Sequence, residues 1–301
     1  MRSLMYVAAS VTTLATPAVA DPKFEYGKID EIKKVKDVEW TAAAEGGIVF
    51  TTGNSETTTL VGGFKASRKT GKNKFAAEGS LTYARSGIRV LDDRNANGVI
   101  DSEDEITTVS TTTAETLAAK LRYDRFLTET DSLYIAALAA RDVPAGKDSV
   151  FGGQVGYSRQ LYKSKTAELL GEFGIDYSRE DLVTGDPINI ISARAFVGYK
   201  ATMTEGTTLD AALEALTNFN HETLATRAEG ADFGEDTRVN AKVAVSSKIG
   251  KNLSFQTSIE VKYDHRPGPL AIKNLAMGFV PEASPMDTIM KASLIYSFFE
   301  K

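Results

Sequence analysis

The stretch Asp93-Arg94-Asn95-Ala96-Asn97-Gly98-Val99-Ile100-Asp101-Ser102-Glu103-Asp104 spaces side-chain oxygens as a calcium loop does. It matches the template D-x-[DN]-x-[DN]-G-x-[ILV]-[DST]-x-x-[DE] at every constrained position. Asp93, Asn95 and Asn97 gather oxygens on one side, and Gly98 allows the sharp turn. Val99 offers its carbonyl, and Asp101 and Asp104 close the shell. The flanks have strand character rather than helical character, and the last position is Asp rather than the longer Glu. Three carboxylates and two amides supply modest charge, so the expected affinity is weak, on the order of 10⁻⁴ to 10⁻³ M. The alternative reading is an Asx-rich external turn without a ligand.

Other chemistry is sparse. The 301 residues include no cysteine and only two histidines, which removes thiolate metal sites and cysteine nucleophiles. His221 stands at a strand end in Asn218-Phe219-Asn220-His221, and His265 opens a loop at His265-Arg266-Pro267. Neither has a companion serine motif, and no G-x-S-x-G, H-E-x-x-H or P-loop is present. The expectation is a non-enzyme. The formal net charge of −5 argues against nucleic acid, whose phosphates call for clustered Lys and Arg.

The elements that carry these residues alternate with a period of two. In Leu253 to Asp264 the odd positions are Leu, Phe, Thr, Ile, Val and Tyr, and the even ones are Ser, Gln, Ser, Glu, Lys and Asp. Segments of this kind fall at about 38–52, 55–68, 74–87, 107–127, 132–143, 149–162, 166–178, 188–202, 207–220, 237–249, 253–264 and 286–299. The fifth has little pattern across Ala136 to Ala140. The sixth blurs near Arg159, where a bulge would restore the alternation.

Links after the even segments are short, as at Thr70-Gly71-Lys72-Asn73 and Gly250-Lys251-Asn252. Those after odd segments are mostly long: Ile88 to Ile106, Arg179 to Pro187, His221 to Asp236 and His265 to Pro285. Short turns at one end and long loops at the other, with an even strand count, indicate a transmembrane antiparallel up-and-down β-barrel of about twelve strands. Aromatics on the apolar parity sort into two girdles. Phe50, Tyr83, Tyr177 and Tyr263 lie toward the long loops, and Phe64, Tyr123, Tyr157, Tyr199, Tyr296 and Phe298 toward the short turns. The other parity faces a lumen with both signs of charge: Glu39, Glu45, Glu78, Glu168, Glu172, Asp176, Asp210, Glu214 and Glu260 against Lys65, Lys120, Arg122, Arg194, Lys200, Lys242, Lys248 and Lys291. In a narrow bore these either pair into a plug or line a small pore.

The N-terminus reads as an export signal. Arg2 supplies the positive end, Leu4 to Leu14 a short apolar run, and Ala18-Val19-Ala20 a small-x-small cleavage site. The expected organisation is a signal peptide over 1–20, a periplasmic segment over 21–37 and an all-β barrel over 38–301. Within the second part, Ile29, Ile32 and Val35 have helical spacing.

Trp40 through Ser86, with Glu45-Gly46-Gly47 and Thr52-Gly53-Asn54-Ser55-Glu56-Thr57, resembles the opening of the DUF481, or YdiY-like, family of outer-membrane proteins. The likeness covers 38–301. It implies a barrel in the outer membrane of a Gram-negative bacterium, sometimes described as salt-induced, with no established activity to carry over. One departure is that Phe299-Glu300-Lys301 follows the terminal aromatic pattern Tyr296-Ser297-Phe298. The expected partners are outer-membrane lipid, lipopolysaccharide and, during biogenesis, the barrel-assembly machinery. The expected cofactor is a weakly held Ca²⁺ in the external loop. Two functions stay open: a structural or envelope-stress component, and a passive channel for small solutes.

Overall fold

A computed structural model describes residues 38–51, 56–91, 106–143, 145–222, 230–268 and 284–298. The signal and periplasmic segments, the Thr52–Ser55 turn, the calcium-type loop and the last three residues lie outside these. The described chain forms β1 (Glu39–Thr51), β2 (Glu56–Thr70), β3 (Asn73–Leu91), β4 (Ile106–Phe126), β5 (Asp131–Asp142) and β6 (Lys147–Lys163). It continues with β7 (Ala167–Leu182), β8 (Ile188–Thr204), β9 (Thr207–Asn218), β10 (Thr237–Lys248), β11 (Leu253–Asp264) and β12 (Met286–Ser297). Each strand pairs antiparallel with its neighbours in sequence, and β1 closes the ring on β12.

The barrel is inside out relative to a soluble protein. Along β7, Phe173 is 66% exposed and Ile175 49%, whereas Glu172, Asp176 and Glu180 are 5%, 6% and 3% exposed. A sandwich would bury the first set. Here it forms an apolar belt, and the polar set turns inward, as hydrocarbon solvent requires. Girdle tyrosines anchor their hydroxyls at the rims. Tyr123 donates to Asn73 at 2.8 Å at the short-turn end, and Tyr177 donates to Asn189 at 2.9 Å at the long-loop end. The apolar body of each ring thus sits in the belt while its polar tip stays at the rim.

The short turns are closed by hydroxyls as well as by glycine. Thr128 Oγ1 accepts from the amide of Asp131 at 3.1 Å, and Ser164 Oγ accepts from the amide of Ala167 at 2.9 Å. The closing seam is the shortest pairing, running from Ala43–Ser297 to Gly46–Leu294. Just beyond it, a Cβ added to Gly47 would lie 3.3 Å from the Ala292 carbonyl oxygen, so the glycine-rich first strand lets two backbones approach.

Three expectations needed adjustment. The fifth strand alternates cleanly at its start, with Ser132, Tyr134 and Ala136 buried inward, and shifts register against β6 between Ala140 and Asp142. Its alanines blur the pattern because they are small on both faces. The sixth strand does carry a bulge, placed slightly later, between Gln160 and Tyr162; Leu161 and Tyr162 are then both exposed. The expected loop from Arg179 to Pro187 is shorter, because β7 continues to Leu182 with Glu180 inward. Its run of charges is strand. Arg179 and Asp181 share one face and pair at 3.4 Å, and Glu180 meets Lys147 of the adjacent strand and Arg238 from across the bore.

A closed ladder has no free edge for detergent to invade. Unheated and boiled samples should therefore migrate differently on a denaturing gel, and Gly47→Val should lower the temperature at which the folded band disappears. A heat-insensitive band would contradict the closed barrel.

Candidate functional site: the crossed lumen

Register turns the inward parity into ion pairs. Lys65, Glu78 and Lys120 face one another across β2, β3 and β4. Glu168, Lys200 and Asp210 do so across β7, β8 and β9, and Lys242 stands opposite Glu260. The ion pairs include Lys200–Asp210 at 3.6 Å and Lys291–Glu260 at 3.8 Å. Glu39, Glu45 and Lys248, also expected in the lumen, are engaged with neighbours too.

The middle of the bore is crossed. Arg122 of β4 contacts Asp124 at 2.6 Å and reaches Glu172 of β7 at 2.7 Å. Glu172 also accepts from Arg194 of β8 at 2.8 Å, and Arg194 contacts Glu214 of β9 at 2.5 Å. The side chains of Glu172 and Arg194 are both 0% exposed. Beside them Lys120 donates to Gln154 at 3.2 Å, and Gln154 donates to Asp176 at 2.8 Å. Removing one member of such a buried pair costs about 3–5 kcal/mol, because it leaves its partner's charge uncompensated.

Tyr134 completes the crossing, and paired glycines make room for it. Tyr134, Gly156, Gly174 and Arg194 lie side by side in one row across β5, β6, β7 and β8. The tyrosine lies over both glycines. A Cβ on Gly156 would come within 2.6 Å of its hydroxyl oxygen, and one on Gly174 within 3.0 Å. That reach brings the hydroxyl to Arg194, which donates to it at 2.8 Å, while Arg122 stacks 4.1 Å from the ring centroid.

A second crossing lies at the long-loop end. Lys147 of β6 contacts Glu180 of β7 at 3.0 Å and Asp264 of β11 at 3.6 Å, so it reaches almost the opposite wall. Arg238 of β10 donates to Glu180 at 2.8 Å. A cavity of about 190 Å³ is lined by the members of this second crossing and by Ala145, Pro267, Ser284 and Pro285 at the long-loop rim. A smaller one of about 60 Å³ lies against β1, β2 and β3 and shares no lining residue with it. Tyr134, Lys147, Glu180 and Arg238 were not named among the expected lumen residues, whereas Asp264 fell on the polar parity of its strand. Their signals were present: alternation persists past Ser178, and Gly156 and Gly174 both fall on the inward parity.

The candidate ligands Asp93, Asn95, Asn97, Val99, Asp101 and Asp104 lie outside the described residues, although β3 and β4 stay paired up to Leu91–Ile106, which bracket them. Among the described residues no group of three or more Asp, Glu or His side chains could hold a metal. His221 Nδ1 lies 2.9 Å from Asp232, and His265 Nδ1 lies 2.9 Å from the Tyr263 hydroxyl.

The link between β9 and β10 contains a buried acid pair. A bridge joins Glu222 to Ala231. Burial, and then the Asp236 carboxylate, push the Glu222 carboxyl up to about 8, so at neutral pH it holds a proton. Between pH 4.5, the ordinary value for Glu, and about 8, the closed loop binds a proton that the opened loop has released. Loop stability therefore falls as pH rises through that window. Amide exchange at Glu222 and Ala231, which bond to each other across the bridge, should be faster at high pH than at neutral pH once corrected for the intrinsic rate, and Glu222→Gln should flatten the difference. An unchanged rate in the wild type would contradict the shared proton.

No curated protein matches the sequence. Solved structures similar to the chain include the NanC porin, at 11% identity over 85% of this chain and 98% of that one, with a TM-score of 0.42. The translocator domain of the autotransporter NalP from Neisseria meningitidis is 12% identical over 87% and 88%, with a TM-score of 0.39. OmpT, an outer membrane protein of Vibrio cholerae, is 10% identical over 88% and 100%, with a TM-score of 0.37. A family model described as "Protein of unknown function, DUF481" matches residues 44–298, and the chain belongs to that family.

Proposed function

We propose that this protein is a non-conducting structural barrel of the outer membrane, serving the envelope under salt or other stress rather than catalysing a reaction. The observation that carries this reading is the buried Glu172–Arg194 pair, 0% exposed on both sides, at the centre of a crossing that joins β4, β7, β8 and β9. An open pore would leave these charges in water. On this reading residues 1–20 direct export, the barrel-assembly machinery inserts the chain, and lipid and lipopolysaccharide surround the apolar belt. Planar-bilayer recording of the refolded protein should show no steady conductance. Arg122→Ser with Glu172→Ser, which removes one charge of each sign, should open measurable steps. A large, steady wild-type conductance would overturn the reading in favour of a passive channel, the alternative that the 190 Å³ cavity favours.

The same reading gives the external loop a weakly held Ca²⁺, with Asp93, Asn95, Asn97, Asp101 and Asp104 supplying side-chain oxygens and Val99 its carbonyl. β3 and β4 are the longest strands, 19 and 21 residues, well beyond the roughly 9 to 11 that cross a bilayer. Such a hairpin would carry the loop clear of the headgroups, where a site in the millimolar range suits the cell exterior. Terbium luminescence should report binding in the wild type and none in Asp93→Ala, with the barrel still folded. Equal binding by both would leave an acidic turn.

A further inference from the structure

The outer wall of the barrel treats its cations differently at its two rims. At the long-loop rim they are neutralised. Arg141 of β5 contacts Glu115 at 3.5 Å and Asp148 at 3.1 Å, and Arg179 pairs with Asp181. At the short-turn rim of β1 to β4 they are not. Register places Trp40, Arg68, Phe75 and Tyr123 side by side in one outward row across these strands. Arg125 stands one step further out on β4, opposite Asn73, and Lys72 lies in the turn between β2 and β3. Arg68, Lys72 and Arg125 are all exposed, and none is held by a carboxylate among the described residues.

The partners these cations do have are neutral. The Arg68 guanidinium lies 5.8 Å from the centroid of the Trp40 ring, and Arg125 donates to Asn73 at 2.7 Å. Asn73 also accepts from the Tyr123 hydroxyl, so one amide fixes a cation and an aromatic ring at the rim. The outward acid on the neighbouring β5, Asp131, is already engaged by Thr128, Tyr157 and Arg159. Arg68 and Arg125 are two strands and two residues apart, roughly 12 Å between Cα atoms, with their long side chains free to lean toward one another. On the belt side the next outward row is Ala42, Ala66 and Ala77, a low strip of wall beside the projecting rings. This combination fits one occupant. Guanidinium groups take phosphate oxygens, and rings such as Trp40 settle at head-group depth. A zwitterionic lipid brings an ammonium group that three uncompensated cations repel, whereas a head group of net negative charge is drawn to them.

We propose that the short-turn rim of β1 to β4 is a binding site for an anionic phospholipid such as phosphatidylglycerol, its phosphate held by Arg68 and Arg125 with Lys72 beside them and an acyl chain along Ala42, Ala66 and Ala77. The inference rests on the membrane placement in the reading above, and it holds whether or not the bore conducts. The opposite rim, where each of these outward arginines has its own carboxylate, has no such preference.

Trp40 is the single tryptophan of the chain, so its emission reports this face alone. The test refolds the full mature barrel into phosphatidylcholine vesicles carrying the same small mole fraction of brominated phosphatidylglycerol or brominated phosphatidylethanolamine. The brominated phosphatidylglycerol should quench Trp40 at least about twofold more strongly, as attraction by several cations at a membrane surface implies. Arg68→Gln with Arg125→Gln should bring the ratio of the two quenching efficiencies to about one. Arg141→Gln with Arg179→Gln, at the other rim, should leave it unchanged, the heat-modifiable band showing that both variants fold. Equal quenching by the two lipids, or a ratio that survives the loss of Arg68 and Arg125, would overturn the site while leaving the barrel intact. No quenching even in vesicles of brominated phosphatidylcholine would put Trp40 out of lipid reach, against a second copy of the chain or in water. That result would overturn the site too, and the heat-modifiable band separates it from a failure of the barrel itself.

Discussion

Hydrocarbon offers a backbone amide no partner, and everything in this molecule follows from that constraint. The chain must close, so β1 returns to β12 although only a short register, Ala43–Ser297 to Gly46–Leu294, joins them. Gly47 belongs to that requirement, because the Ala292 carbonyl approaches it to a distance that a side chain would disturb. Closure in turn decides where the charges go. With Phe173 and Ile175 on the outer wall, Glu172 and Asp176 have only the lumen.

A lumen that receives charges from twelve strands must then solve an electrostatic problem. Buried ions are tolerated when each is paired and its remaining hydrogen-bonding atoms are satisfied. In the middle of the bore this is met by alternation of sign, with Arg122, Glu172, Arg194 and Glu214 in sequence and Tyr134 laid over two glycines to bond the second arginine. At the long-loop end it is met less completely. Lys147, Glu180, Asp264 and Arg238 neutralise one another across the ring, yet one edge of Arg238 is left over. The first arrangement ties four strands together through side chains of alternating sign.

Most of the architecture was legible in the chain. The period-two alternation, the sorting of loop length by strand parity and the two aromatic girdles led to twelve strands whose ends match the observed ones closely, with Leu253–Asp264 identical. That legibility has a physical source: each membrane strand meets two different solvents, so every second residue reports its face. Where the two faces carried residues of similar size, as in the alanines of β5, the signal faded. Where a long link was expected, from Arg179 onward, the strand continued to Leu182, because an inward carboxylate can be neutralised by cations distant in sequence.

The sequence by itself determined that the barrel exists, which residues face lipid and which signs of charge enter the lumen, since these depend on local alternation alone. Only the tertiary structure decided which charges meet. Arg122 and Glu172 are three strands apart, and Lys147 and Asp264 five, and no periodicity reaches across a bore. The same holds for Tyr134, whose inward position was readable but whose partner was not. It reaches Arg194 because Gly156 and Gly174 fall in its own row of the ladder. Parity is a property of one strand, whereas pairing is a property of the closed ring, whose stagger sets the level at which each residue stands.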